Sequence, residues 1–174
     1  MSILLALVLI IFAAFSRLIP HAPNFTPVIS IALFGGAYLK KQYAFAVPVA
    51  ALFLSDAVIG FYGLTSMAFV YGTVILIAAL GLTLVNKIST GRVLALSLIG
   101  SIVFFVVTNF SVWLLPYSIY PKTYAGLVEC YVAAIPFFGN TVLSTLVFSA
   151  VMFGAYEGAE KYVFKPKAIQ RSAS

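Results

Sequence analysis

The chain has 174 residues, of which 63% are apolar and 8% charged, against roughly 45–50% and 25% in a soluble domain. This excludes a soluble globular protein. It also argues against a nucleic-acid binder, because the 10 Lys and Arg that outweigh 4 Asp and Glu fall where membrane topology sorts cations. At about 20 residues per crossing, the length is consumed by helices and short loops, so the expected class is an all-α, polytopic membrane protein with six transmembrane helices. It forms a single transmembrane domain over residues 1–174, with a short basic cytoplasmic tail at 160–174.

Apolar runs place the spans at about residues 2–18, 26–39, 43–62, 67–86, 93–115 and 136–156. The first lacks the Lys or Arg that normally precedes a signal-peptide core and is expected to be retained. The second is short for a bilayer, so an extension at one end or a break near Gly35-Gly36 is expected. Between the fifth and sixth, prolines start a surface loop, and residues 125–135 suit a short helix lying in the interface.

Cations set the orientation. Lys40, Lys41, Lys87, Arg92, Lys161, Lys165, Lys167 and Arg171 fall on one side, and only Arg17 and Lys122 on the other, so both termini are expected in the cytoplasm and the protein in the inner (plasma) membrane. The first outer loop then contains "RLIPHAPNFTP", whose three prolines fix φ and restrict the residues before them. It is expected to act as a stiff lid.

The polar residues of four spans reach one depth. At ~1.5 Å per residue, Asp56 lies about 20 Å up a core roughly 30 Å thick. Arg17 ends its span at about 21 Å, Asn109 lies at about 24 Å by the same rise, and Asn140 enters the sixth span at a similar level. Asp56, Gly60 and Gly63 follow i, i+4, i+7 spacing, which on a helix would set the carboxylate beside a glycine surface open to a helix or a ligand. Two readings stand for Arg17 and Asp56: a structural ion pair, or charges facing a wet cavity that orient a ligand. The ligand reading is the expectation, with His21, Asn24 and Phe25 in the lid, Tyr62 in the outer tyrosine belt, and Glu129 in the interfacial segment as the opposite wall. His21 as a simple loop cap and Asn24 to Pro27 as a helix start are the plainer alternatives.

No P-loop, HExxH or G-x-S-x-G motif occurs, and one intramembrane aspartate makes no aspartyl dyad. No catalytic residue, metal site or cofactor is therefore assigned, and the single Cys130 supports no disulfide.

Six short spans, a structured first outer loop and a polar pocket in the outer leaflet resemble the substrate-binding S components of energy-coupling factor transporters. Locally, "RLIPHAPNFTPVISIALFGGAYL" and "LSDAVIGFYG" resemble an uncharacterised bacterial membrane family associated with that fold. The resemblance implies a non-enzymatic uptake protein. It would bind a small vitamin-like micronutrient under its first loop, lie among membrane lipid, and dock on a coupling transmembrane subunit driven by ATPases. Many such proteins dock through A-x-x-x-A on helix one; here that spacing occurs at Ala46 and Ala50 instead. Solitary relatives bind cobalamin, one through a cysteine, which makes Cys130 a special case. The alternatives are an intramembrane enzyme using His21 and Asp56 as acid and base on a lipid-linked substrate, and an assembly factor whose polar groups only specify packing.

The charge distribution yields a direct test. In a Cys130→Ser background, single cysteines at positions 41 and 89 should resist membrane-impermeant reagents in intact cells, and external labelling at either would turn the polar cluster inward.

Overall fold

The computed structural model describes residues 3–164, and the tail cations Lys165, Lys167 and Arg171 lie outside them. The described chain is helical, in the order α1 (Ile3–Ser16), α2 (Val28–Tyr38), α3 (Lys41–Ala44), α4 (Ala46–Ile59), α5 (Leu64–Leu82), α6 (Thr90–Leu114) and α7 (Tyr124–Ala159), closed by a π turn at Glu160–Phe164. Four segments are long and apolar enough to cross a membrane: Lys41–Ile59, Leu64–Leu82, Thr90–Leu114 and Tyr124–Val163. The protein is membrane-embedded. At ~1.5 Å per residue, the 14 residues of α1 and the 11 of α2 reach only about 21 and 17 Å.

The shortness of α2 is explained by its surroundings. All eleven of its residues are buried, and it meets α1, α4, α5, α6 and α7, most extensively α5. A helix sheathed by protein on every side need not match the bilayer thickness by itself. The expected break at Gly35-Gly36 does not occur: both residues are helical and serve close approach. A Cβ on Gly36 would overlap the carbonyl oxygen of Ala78 and lie 2.8 Å from the Gly81 Cα, and one on Gly81 would overlap the Leu33 carbonyl. The backbones of α2 and α5 thus cross in direct contact, as small residues permit inside a membrane. Gly35 faces Pro48 of α4, whose Cγ would sit 2.6 Å from an added Cβ.

Pro48 also accounts for the short separate α3. Its missing N–H leaves the Ala44 carbonyl without an i+4 donor, and the chain turns at Phe45 before α4 begins. The opposite outcome holds at Pro136. Residues 125–135 do not form a separate interfacial helix but the first third of α7, whose 36 residues include Pro136 and extend about 54 Å at the standard rise. One lost backbone bond is tolerated in an otherwise unbroken apolar helix.

Two packing motifs join α7 to the centre. At one end Phe34 and Tyr38 of α2 meet Phe153 and Tyr156 of α7, with Tyr38 and Tyr156 centroids 4.1 Å apart and Phe34 edge-on to Phe153 at 5.3 Å. Midway, hydroxyls link three helices: Ser97 of α6 donates to Ser149 of α7 (3.0 Å), Ser149 to Ser30 of α2 (3.1 Å), and Ser30 to the Thr145 carbonyl (2.9 Å). Interhelical bonds of this kind contribute about 0.6–2 kcal/mol each.

Loops are fixed by local chemistry. Gly60, at φ 115, ends α4, in a region that favours glycine. Ser89 caps α6 and Thr123 caps α7. Lys122 donates to the terminal carbonyls of α6, those of Trp113 and Leu115, where the helix dipole favours a cation.

The α2–α5 crossing is open to measurement. Gly36→Ala should destabilise the protein by about 1–3 kcal/mol in denaturant titration in detergent, as overpacking typically does. Gly72→Ala on α5, where nothing lies within 4 Å of an added Cβ, should be neutral or stabilise by up to ~1 kcal/mol.

Candidate functional site at the Arg17 end of the bundle

Arg17 leaves the end of α1 and reaches across to α4. Its Nη2 donates to Asp56 Oδ1 at 2.7 Å, and its Nη1 donates to the Leu52 carbonyl at 3.3 Å and to Ser55 Oγ. From α5, the Tyr71 hydroxyl donates to Asp56 Oδ2 at 2.8 Å. One carboxylate thereby joins three helices, with both oxygens engaged. Asp56 is 1% exposed and lies in protein rather than against open water, so the expected wet cavity is not found at its carboxylate. The Arg17 side chain is 12% exposed, and its Nε, also buried, has no acceptor among the described residues.

The glycine face expected beside Asp56 does not form, because α4 ends at Ile59 and Gly60 is already outside the helix. Tyr62 lies in the following loop, where burial and the nearby Asp56 carboxylate push its phenol up to about 12, against the opposing influence of Arg17. At that pKa it keeps its proton at physiological pH.

The first loop is divided between two neighbours. Asn140 of α7 donates from Nδ2 to the Pro23 carbonyl at 3.0 Å, and Phe25 meets Phe148 of α7 at 6.1 Å between centroids. Asn24 takes the left-handed conformation at φ 61, which asparagine tolerates better than most residues. Asn24, Phe25 and Asn140 therefore pin the loop to α7 or turn it. His21 is exposed, with Nδ1 2.6 Å from the Ile19 carbonyl. A carbonyl only accepts, so Nδ1 carries the proton and Nε2 remains available.

Arg17 and His21 together line an open cleft of about 460 Å³, completed by Leu18, Ile19, Pro20, Val58 and Ile59. With Nδ1 protonated, His21 offers the cleft an acceptor at Nε2, which suits a hydroxyl or N–H donor of a ligand, while the unpartnered Arg17 Nε is buried away from it. The remaining expected residues lie elsewhere. Asn109 donates to the Phe105 carbonyl of its own helix at 2.8 Å, and Glu129 is exposed on the first turns of α7. Cys130 is 2% exposed with its thiol 3.5 Å from the Asn109 carbonyl. Such burial does not suit a cysteine that must reach a cobalt centre.

Sequence reasoning missed Ser55 and Tyr71, which complete the Asp56 environment, and Glu157. The last accepts from Tyr38 at 2.6 Å beside a second cleft of about 410 Å³ between the start of α6 and α7. Tyr71 lies fifteen residues from Asp56 with no local motif to betray it. Among the described residues no three of His, Cys, Asp or Glu group as metal ligands.

The geometry makes the Arg17–Asp56 pair a stability element. Asp56→Asn leaves a largely buried cation without its counter-charge and should cost about 3–5 kcal/mol, most of it recovered in the Arg17→Gln, Asp56→Asn double variant. Tyr71→Phe should cost about 1.5–3 kcal/mol, as expected for a hydrogen bond to a charged group. Thermal unfolding in detergent compares all three, and a single Asp56→Asn variant as stable as the parent would show that water solvates Arg17.

No curated protein and no solved structure matches the chain. A family model described as a family of unknown function (DUF6580) matches residues 1–168. With nearly its whole length matched, the chain belongs to that family.

Proposed function

We propose that the protein is a multi-pass inner-membrane binding and uptake protein for a small vitamin-like compound, of the S-component kind, with its site on the first-loop face. In this reading α1 and α2 are short spans that complete a bundle of six, both termini are cytoplasmic, and the loop joining α1 to α2 faces outward. The cation distribution supports the orientation. The observation that carries the functional reading is the open cleft at Arg17 and His21, on a loop whose far end is held to α7 through Asn140 and Phe25.

Arg17 and His21 make the contacts with ligand. Asp56, Ser55 and Tyr71 act through Arg17 by fixing its guanidinium. Transport then needs a second component, and the exposed Ala46 and Ala50 on α4 form a small-residue surface on which a coupling transmembrane subunit with its ATPases would pack closely. The assembly-factor reading is favoured by one fact, the full engagement of Asp56 within the protein. The open cleft at the first loop favours binding.

Native mass spectrometry of the gently extracted protein should show a retained small molecule that His21→Ala releases. Replacing Pro20 and Pro23 together by alanine should weaken retention at least tenfold while leaving thermal stability nearly unchanged, because a preorganised loop loses less entropy on binding. Retention indifferent to all these substitutions would move the site elsewhere, and the absence of any retained molecule would favour the assembly factor.

A further inference from the structure

The second cleft, of about 410 Å³ between the start of α6 and α7, lies away from the first loop. Asn140, which holds that loop, and Glu157, which lines the cleft, are about 25 Å apart along α7 at the helical rise. Its volume falls in the range of small-molecule sites.

Glu157 is the one charged residue that lines it. Its Oε1 accepts from the Tyr38 hydroxyl at 2.6 Å, and Tyr38 is 4% exposed and stacked near Tyr156, so a buried phenol sets the position of the carboxylate. Its Oε2 has no partner among the described residues. No Lys or Arg lines the cleft. Arg92 donates from Nη1 to the Lys87 carbonyl at 2.9 Å, and Lys161, one turn beyond Glu157, stands over the Tyr162 ring at 5.0 Å.

The remaining polar groups add no cation. Ser89 caps α6 by accepting from the Arg92 backbone N–H, and Ser149 is tied into the hydroxyl chain that joins α6, α7 and α2. The Thr90 hydroxyl also lines the cleft and is without a partner among the described residues. The rest of the wall is apolar, chiefly Val93, Leu94, Ala150 and Phe153. An ionised carboxylate only accepts hydrogen bonds, so its free oxygen calls for a donor, most strongly a charged one. The apolar wall beside it calls for hydrocarbon. An anion would meet the Glu157 charge with no cation to offset it.

The geometry points to a primary amine, in its ammonium form, as the ligand of this cleft: N–H donors on Glu157 Oε2, with the Thr90 hydroxyl as a further acceptor, and a hydrocarbon portion against the α6–α7 wall. This chemistry belongs both to a free alkylamine and to the ethanolamine head of a phospholipid. The site is separate from the cleft at the first loop and does not rest on the uptake reading.

The test is equilibrium dialysis of radiolabelled hexylamine against the full chain in a non-ionic detergent at neutral pH, with binding to empty micelles subtracted. Hexanol, which lacks the charge, and hexyltrimethylammonium, which keeps the charge without an N–H, should compete at least tenfold more weakly than unlabelled hexylamine. Glu157→Gln keeps an acceptor for Tyr38 and loses the charge, and it should lower binding at least tenfold. Gly154→Leu should do the same, because Gly154 lines the cleft and an added Cβ there meets nothing within 4 Å. Gly139→Leu, equally open and outside the cleft, and His21→Ala at the first loop should leave binding unchanged. Competition by phosphatidylethanolamine but not by phosphatidylcholine assigns the head to a lipid, and hexylamine binding indifferent to both assigns it to a free amine.

Hexanol or hexyltrimethylammonium competing as well as hexylamine, or binding untouched by Glu157→Gln or by Gly154→Leu, overturns the proposal. Binding lost in His21→Ala and kept in Glu157→Gln places the amine at the first loop and overturns it as well. Binding that emerges only in a Lys165→Gln, Lys167→Gln double variant would put the chain's own basic end in the cleft and equally overturn it.

Discussion

The close crossing of α2 and α5 at Gly36 and Gly81 organises the rest of the bundle. Within a bilayer, removing apolar surface from lipid yields little, so helices associate through dense packing and hydrogen bonds. Two glycines at the crossing bring the backbones together and leave α2 enclosed, with Leu33 and Phe34 wholly buried. Three further neighbours are positioned against α2: α7 through the aromatic group around Tyr38 and Tyr156, α6 and α7 through the chain of serine hydroxyls, and α4 through Pro48 on Gly35.

The Arg17–Asp56 pair follows from this arrangement. Helix α1 buries only Ala6, Ile10, Ala13 and Ala14, a narrow stripe of mainly small side chains that lets it lie close to its neighbours. Its far end is fastened by charge. A guanidinium reaching from α1 to a carboxylate on α4 that also receives a hydroxyl from α5 fixes three helix ends together, at the desolvation cost that two buried charges carry. Beside this fastening, the seam between α1 and α4 holds a groove in which Ala14, Ala51 and Ser55 lie among the larger Ile11, Phe15, Leu18, Leu54 and Val58. The proposed uptake site thus lies beside the feature that holds α1 in place.

Several elements were legible in the sequence for definite reasons. The apolar runs produced the helices because their length and composition leave a bilayer-embedded chain no other way to satisfy its backbone, and Arg17 and Asp56 stood out because charges in such runs are expensive. Counting rise per residue placed both at one level, and the structure joins them at 2.7 Å. Where the reading departed, the cause was non-local. Gly35-Gly36 looked like a break because a single chain does not display its neighbour, and only the facing Pro48, Ala78 and Gly81 explain the glycines. Pro136 looked like a boundary, yet one proline in a long apolar helix costs one bond and α7 continues.

The sequence by itself determined the membrane setting, the helical class and the common level of Arg17 and Asp56, since each depends on composition or on spacing along one chain. Tertiary structure decided which polar residues meet. It separated Asn109 and Glu129 from the Arg17 end, gave Asn140 and Phe25 the task of holding the loop, and brought Tyr71 to Asp56 and Glu157 to Tyr38. Equal depth does not specify azimuth. Which face a helix turns toward a given neighbour is settled only when all the helices pack at once, and the groove between α1 and α4 belongs to neither helix alone.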